Sequence, residues 1–146
     1  MVTTTDYAGD ISSREAWELL GAESKAQLID VRTIPEWAFV GLPDLSGLGR
    51  EVHCVEWQIF PSMAANPEFT KVVGDKVRRA GADEHTPLLF LCRSGARSRA
   101  AAIAMTGAGF VKSYNIAGGF EGDLDNERHR GGRNGWKAER LPWRQS

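Results

Sequence analysis

Cysteine is scarce in this chain: Cys54 and Cys92 are the two in 146 residues. A secreted disulfide framework would be richer in cysteine, so a cytoplasmic protein with reduced thiols is expected. Histidine is almost as sparse. His53, His85 and His129 are scattered and read as surface or structural residues, and neither a metal nor a cofactor is expected. Charge of one sign is not in excess either, since 18 Lys and Arg meet 19 Asp and Glu. A dedicated nucleic-acid binder would show a basic surplus, so nucleic acid is not an expected partner. Apolar runs are short, and none approaches the roughly 18 residues that cross a membrane. The polar start MVTTTDYAGDISS lacks the basic and apolar regions of a signal peptide.

What is present suits one soluble domain. A chain of this length can bury a sizeable core without disulfide staples, and 42% hydrophobic with 25% charged residues is ordinary for a globular protein. The whole chain, 1–146, is read as a single domain with its core at about 10–122 and a polar extension over 123–146. No internal repeat is visible.

Strand and helix signals alternate. Ser12 and Glu15 form a capping box ahead of a helix carrying Ala16, Leu19 and Leu20. QLIDV (27–31) reads as a buried strand, and Pro35 as part of a turn. Residues 41–50, GLPDLSGLGR, read as a long loop, and VHCVEW (52–57) as a second strand. Asn66 and Pro67 predict a helix start, with Phe69, Val72, Val73 and Val77 on one face and Gly81 closing it. PLLFLC (87–92) is the clearest buried strand; a helix over 98–105 and a strand over 111–116 follow, then a turn at Gly118–Phe120. This alternation predicts an α/β domain around a parallel sheet. Sites in such sheets lie at the carboxyl ends of strands, where Cys92 falls.

CRSGARS (92–98) then carries the chemistry. A cysteine at a strand tip is followed by a glycine-containing loop and a helix start. Backbone N–H groups in such a loop can turn inward around an anion, and the helix N-terminus adds partial positive charge. Arg93, Arg97 and Arg99 supply cationic side chains. A thiol there is expected to ionise below the free value of about 8.5. A cysteine that only packs as a small hydrophobe would not need this loop.

The segment CRSGARS resembles the active-site loop of rhodanese domains. LIDVRTIPEW (28–37) resembles that family's early LIDVR segment, and IAGGF (116–120) its late GG-aromatic turn. The three occur in family order over nearly the whole domain. The resemblance implies a five-stranded, mainly parallel core flanked by helices. It also implies a double displacement in which Cys92 takes sulfane sulfur from an anionic donor such as thiosulfate or a persulfide. The Cys92 persulfide then passes it to cyanide or a thiol, a protein sulfur carrier being one acceptor of that class. On this reading Cys92 is catalytic, and the loop Arg93, Ser94, Gly95, Ala96, Arg97 and Ser98 cradles the outer sulfur, with Arg93 and Arg97 drawing in anions. The chain departs from the family where GLPDLSGLGREVHCVEW replaces the usual His-X-X-Gly-Ala segment, and where the tail continues past Phe120.

Asp30 and Arg32 are expected as a supporting structural pair beside the loop, with Glu36 a partner for Arg32, because buried charges need partners. Cys54 is expected as a packed thiol rather than a resolving one, and the five tryptophans as packing residues. The tail's basic residues, Arg128, Arg130, Arg133, Lys137, Arg140 and Arg144, are expected on a solvated surface of mixed charge. Two other functions remain open on sequence: a cysteine-dependent phosphatase or arsenate reductase using a related cradle, and a non-catalytic binding module. Cysteine phosphatases place five residues between nucleophile and arginine, whereas four separate Cys92 from Arg97.

Overall fold

A computed structural model describes residues 6–145. Its centre is a five-stranded sheet in which every neighbouring pair is parallel. The sheet strands are β1 (Gly9–Ile11), β2 (Gln27–Asp30), β4 (His53–Cys54), β7 (Leu88–Leu91) and β8 (Ser113–Ile116), in the spatial order β1-β8-β7-β2-β4. Between them run α1 (Ser13–Ala22), α2 (Ile34–Phe39), α3 (Phe69–Arg79) and α4 (Ala96–Gly107). Two small antiparallel pairs complete the chain: β3 (Leu42–Pro43) with β9 (Trp143–Arg144), and β5 (Gln58–Ile59) with β6 (Ala64–Ala65).

The central strands β2 (QLID) and β7 (LLFL) are buried at all four positions, β7 as an unbroken apolar run and β2 with Leu28 and Ile29 between the buried polar residues Gln27 and Asp30. Alternation then sorts their side chains. Ile29, Leu88 and Phe90 face a core shared with Phe69, Val73 and Val77 of α3 and Met105 of α4. Leu28, Leu89 and Leu91 face Ala16 and Leu20 of α1 and Trp136 of the tail. From β2 the chain moves outward to β4; from β7 it moves the other way, to β8. The strand order therefore reverses between β2 and β7, and a crevice opens at their carboxyl ends. Cys92 directly follows β7 there.

Several local expectations change. The segment with Pro35 is the six-residue helix α2, not a turn; it is too short to show a period, although Glu36 accepts from both the backbone N and the hydroxyl of Thr33. The helix expected from Asn66 begins at Phe69. Asn66 is held by the loop instead, its Nδ2 donating to Glu56 O and its Oδ1 accepting from Glu68 N. Only His53 and Cys54 of the second predicted strand pair in the ladder, at the sheet edge. The long loop contains β3 and a 3-10 turn over Ser46–Leu48.

The tail folds back over the domain. Trp136 is fully buried and Leu141 nearly so, and β9 closes onto β3. Two tail cations are not simply solvated: Lys137 donates to Val40 O and lies over the Trp143 ring, and Arg130 donates to Gly122 O. No helix among the described residues is long and apolar enough to cross a membrane.

Candidate active site

The loop after β7 turns so that Gly95 N donates to Cys92 Sγ at 3.1 Å. Cys92, Gly95 and Ser98 are buried, Ser94 and Arg97 half-buried, and Arg93 and Ala96 exposed. Gly95 sits at φ +120, and a Cβ there would stand 2.5 Å from Ala117 O. Only glycine fits that close approach. Helix α4 begins at the next residue, so its first-turn N–H groups, which have no partners within a helix, follow directly on the N–H that meets the sulfur. Ser98 Oγ lies 3.2 Å from Sγ and 2.6 Å from Asn115 Oδ1 on β8.

The GG-aromatic turn has a physical task. Phe120 N donates to Cys92 O, while Glu121 N and Gly122 N donate to Arg93 O. These bonds hold the carbonyl oxygens of Cys92 and Arg93 towards the turn, while the Gly95 N–H faces the sulfur. Gly119, at φ +64, abuts the same carbonyls: a Cβ would stand 2.5 Å from Arg93 O. The tail backs the turn in its own right. Trp136 N donates to Gly119 O, Lys137 N to Phe120 O, and Gly131 N to Glu121 O. Asn134 and Gly135 press against Gly122 and Gly118. These tail contacts had no signal in the sequence beyond the glycine density of RGGRNG.

Asp30 and Arg32 form the expected buried pair, fully enclosed and joined at 2.7 Å. Arg32 also donates to Gly41 O and lies 4.3 Å over the Phe120 ring. The LIDVR segment is thereby packed against the turn that supports the Cys92 loop. Glu36 is not its partner. It makes a two-pronged ion pair with Arg97, at 2.7 and 2.9 Å. Glu36 lies on α2, at the carboxyl end of β2, while Arg97 opens α4 at the end of β7, and neighbouring strands bring them together. Burial alone would raise the Glu36 carboxyl; hydrogen bonds and charge from Arg97, with bonds from Thr33, outweigh it and hold it at about 2.

A cleft of about 490 Å³ opens beside the loop, lined by Glu36, Val40, Gln58, Met63, Arg93, Arg97 and Glu121. Its two carboxylates offset its two guanidiniums, and Arg97 is already spoken for. Arg93 is the guanidinium of this cleft that has no ion-pair partner among the described residues. Cys54 is remote in character from Cys92. Burial, then the charge of Asp30, push its thiol up to about 12, so it stays protonated near neutrality. His53 is tied to Gln27 Oε1 at 2.8 Å, a structural role.

Comparison with known proteins places this geometry among relatives. Residues 8–146 match the family model described as STR4 middle domain. The crystal structure of Rv0390 from M. tuberculosis is 48% identical, with a TM-score of 0.85, covering 96% of this chain and 99% of that one. An uncharacterized Rickettsia conorii protein is 37% identical over 92% of this chain and 95% of its own length. The chloroplast rhodanese-like domain-containing protein 4 of Arabidopsis thaliana is 28% identical over 90% of this chain, which corresponds to 25% of that protein.

Proposed function

The chain belongs to the STR4 middle-domain family and is rhodanese-like, and on that premise we propose that it transfers sulfane sulfur through a persulfide on Cys92. One observation carries the reading: the Gly95 N–H is directed at a buried cysteine sulfur that sits against the first turn of α4. In the first step the Cys92 thiolate attacks the outer sulfur of thiosulfate. A new S–S bond forms, the donor's S–S bond breaks, and sulfite leaves with the electron pair. In the second step cyanide or a thiolate attacks the outer sulfur of the persulfide, and the Cys92 thiolate departs. No proton transfer to a leaving group is needed in either step, and the loop CRSGARS (92–98) carries no histidine. The loop Arg93, Ser94, Gly95, Ala96, Arg97 and Ser98 supplies N–H groups for the outer sulfur, and the Asp30–Arg32 pair supports it from beneath.

An activity pair on one preparation tests this. Thiosulfate with cyanide is expected to give thiocyanate, and an aryl phosphate no turnover, because four residues between Cys92 and Arg97 make a ring too small to centre a tetrahedral phosphate. Cys92-dependent phosphatase turnover without thiocyanate would replace the proposal with the phosphatase reading.

The cleft's balance of charge makes a sharper expectation. Glu36→Gln releases Arg97 and leaves the cleft cationic, so KM for thiosulfate should fall about threefold at low salt, and the gain should fade as salt screens it. Arg93→Ala should raise KM with the same salt dependence. The Glu36 carboxyl is lowered, so its contribution to stability is complete above about 4.5 and is lost as pH falls towards 2. Urea unfolding should therefore find Glu36→Gln less stable by about 1 kcal/mol at pH 6, since solvent screens a half-buried pair, with the gap closing in acid. A gap independent of pH would assign the loss to packing.

A further inference from the structure

The hydrogen bonds behind Cys92 have a direction, and it follows from what each group can donate. Asp10 of β1 accepts from Tyr7 Oη at 2.8 Å and from Asn115 Nδ2 at 3.0 Å. A carboxylate has no proton to give, so the amide must turn its NH₂ towards Asp10 and its oxygen towards Ser98. An amide oxygen only accepts. The 2.6 Å contact between Ser98 Oγ and Asn115 Oδ1 therefore carries the single hydroxyl proton of Ser98. The longer contacts of the same oxygen, 3.2 Å to Gly95 O and 3.2 Å to Cys92 Sγ, are left without it.

We propose that Asn115, oriented by Asp10, holds the Ser98 proton off Cys92, so that Ser98 presents a lone pair to the sulfur. Asp10 and Asn115 are then positioning residues for the site. Negative charge on Sγ itself is met by the Gly95 N–H but not by Ser98. Charge on an outer sulfur lies farther from the Ser98 lone pair and closer to the loop's N–H groups. The arrangement thus favours the loaded cysteine over the bare thiolate. To donate to a bare thiolate, the Ser98 hydroxyl must rotate, and it leaves the buried Asn115 oxygen unpaired. This last consequence rests on the sulfur-transfer reading; the placement of the proton does not.

Asn115→Leu removes the acceptor while filling its space, so that no water takes its place. In a Cys54→Ala background, where Cys92 is the remaining thiol, the midpoint of its iodoacetamide alkylation rate against pH should fall by about one unit, which quickens alkylation below that midpoint, because the freed hydroxyl now donates to the thiolate and favours ionisation. Adding Ser98→Ala should abolish the gain. No quickening, or a gain that survives without Ser98, overturns the proposal, the second by showing that the substitution merely opened access. Neutron diffraction on the unaltered protein tests the same point without relying on the variant's folding: the Ser98 deuteron should point at Asn115 Oδ1, and finding it directed at Sγ overturns the proposal. The share of persulfide at a fixed ratio of thiosulfate to sulfite should also fall in Asn115→Leu. If alkylation quickens but no persulfide forms in any variant, the proton's placement stands and the sulfur-transfer reading fails.

Discussion

Cys92→Ala is expected to lower thiosulfate-to-cyanide turnover by about a thousandfold or more, the scale at which removing a covalent nucleophile is felt. Nothing beside it can substitute. Ser98 is close to the sulfur, but its proton is committed to Asn115 and its oxygen is far less nucleophilic than a thiolate. Stability should change little, since alanine removes one buried sulfur atom from a wall that otherwise stays packed. Cys54→Ala is the informative companion. Its thiol, pushed up to about 12 on a sheet-edge strand, has almost no thiolate at neutral pH, so most activity should remain. Two variants equally dead, with circular dichroism unchanged in both, would put a two-cysteine relay in place of a single persulfide.

Gly119→Ala should be severely damaging although it lies outside the Cys92 loop. The residue holds φ +64, and the added methyl would stand 2.5 Å from Arg93 O and 2.6 Å from Cys92 O. Those two carbonyls are the acceptors that fix the loop through Phe120, Glu121 and Gly122. Neither can retreat without rotating a peptide of the loop that leads from Cys92 to Gly95. Misplacement of a reacting group by about 1 Å costs on the order of a hundredfold in rate, and turnover should fall at least that far. A loss of about 2–4 kcal/mol in stability should accompany it, from strain at a positive φ and a displaced hydrogen-bonded turn. Gly107→Ala is the control: it ends α4 with open space around it, and both activity and stability should hold. Equal effects at the two positions would mean that glycine content, not the contact with the loop, matters.

Much of this architecture can be read from residue order. An unbroken apolar run identifies β7 and the short segment QLIDV identifies β2, the capping box at Ser12 and Glu15 fixes the start of α1, and the glycine after a strand-end cysteine marks the loop. The relation among the three motif segments is visible only in space. Arg32 from the first stacks on Phe120 from the third, while the turn around Phe120 holds the carbonyls of the second. Pairings across the sheet are equally hidden. Local spacing suggests Arg32 for Glu36, but Arg32 turns back to Asp30, and Glu36 meets Arg97, 61 residues away, because β2 and β7 are neighbours. In the polar tail Trp136 and Trp143 stand out as apolar anchors; Trp136 is fully buried and Trp143 partly exposed, and what the sequence does not show is that this burial brings the backbone of 131–137 against the turn that supports the site. Asp10, Asn115 and Ser98 come from three separate elements, and no spacing links them.

The most direct test of sulfur transfer through Cys92 is the mass of the peptide that contains it. After thiosulfate and removal of excess donor, the Cys92 peptide should gain one sulfur atom while the Cys54 peptide keeps its mass. Cyanide added afterwards should return the Cys92 peptide to its starting mass and release an equal amount of thiocyanate. An unchanged Cys92 peptide in a folded protein that still makes thiocyanate, or a sulfur found on Cys54, would contradict the account.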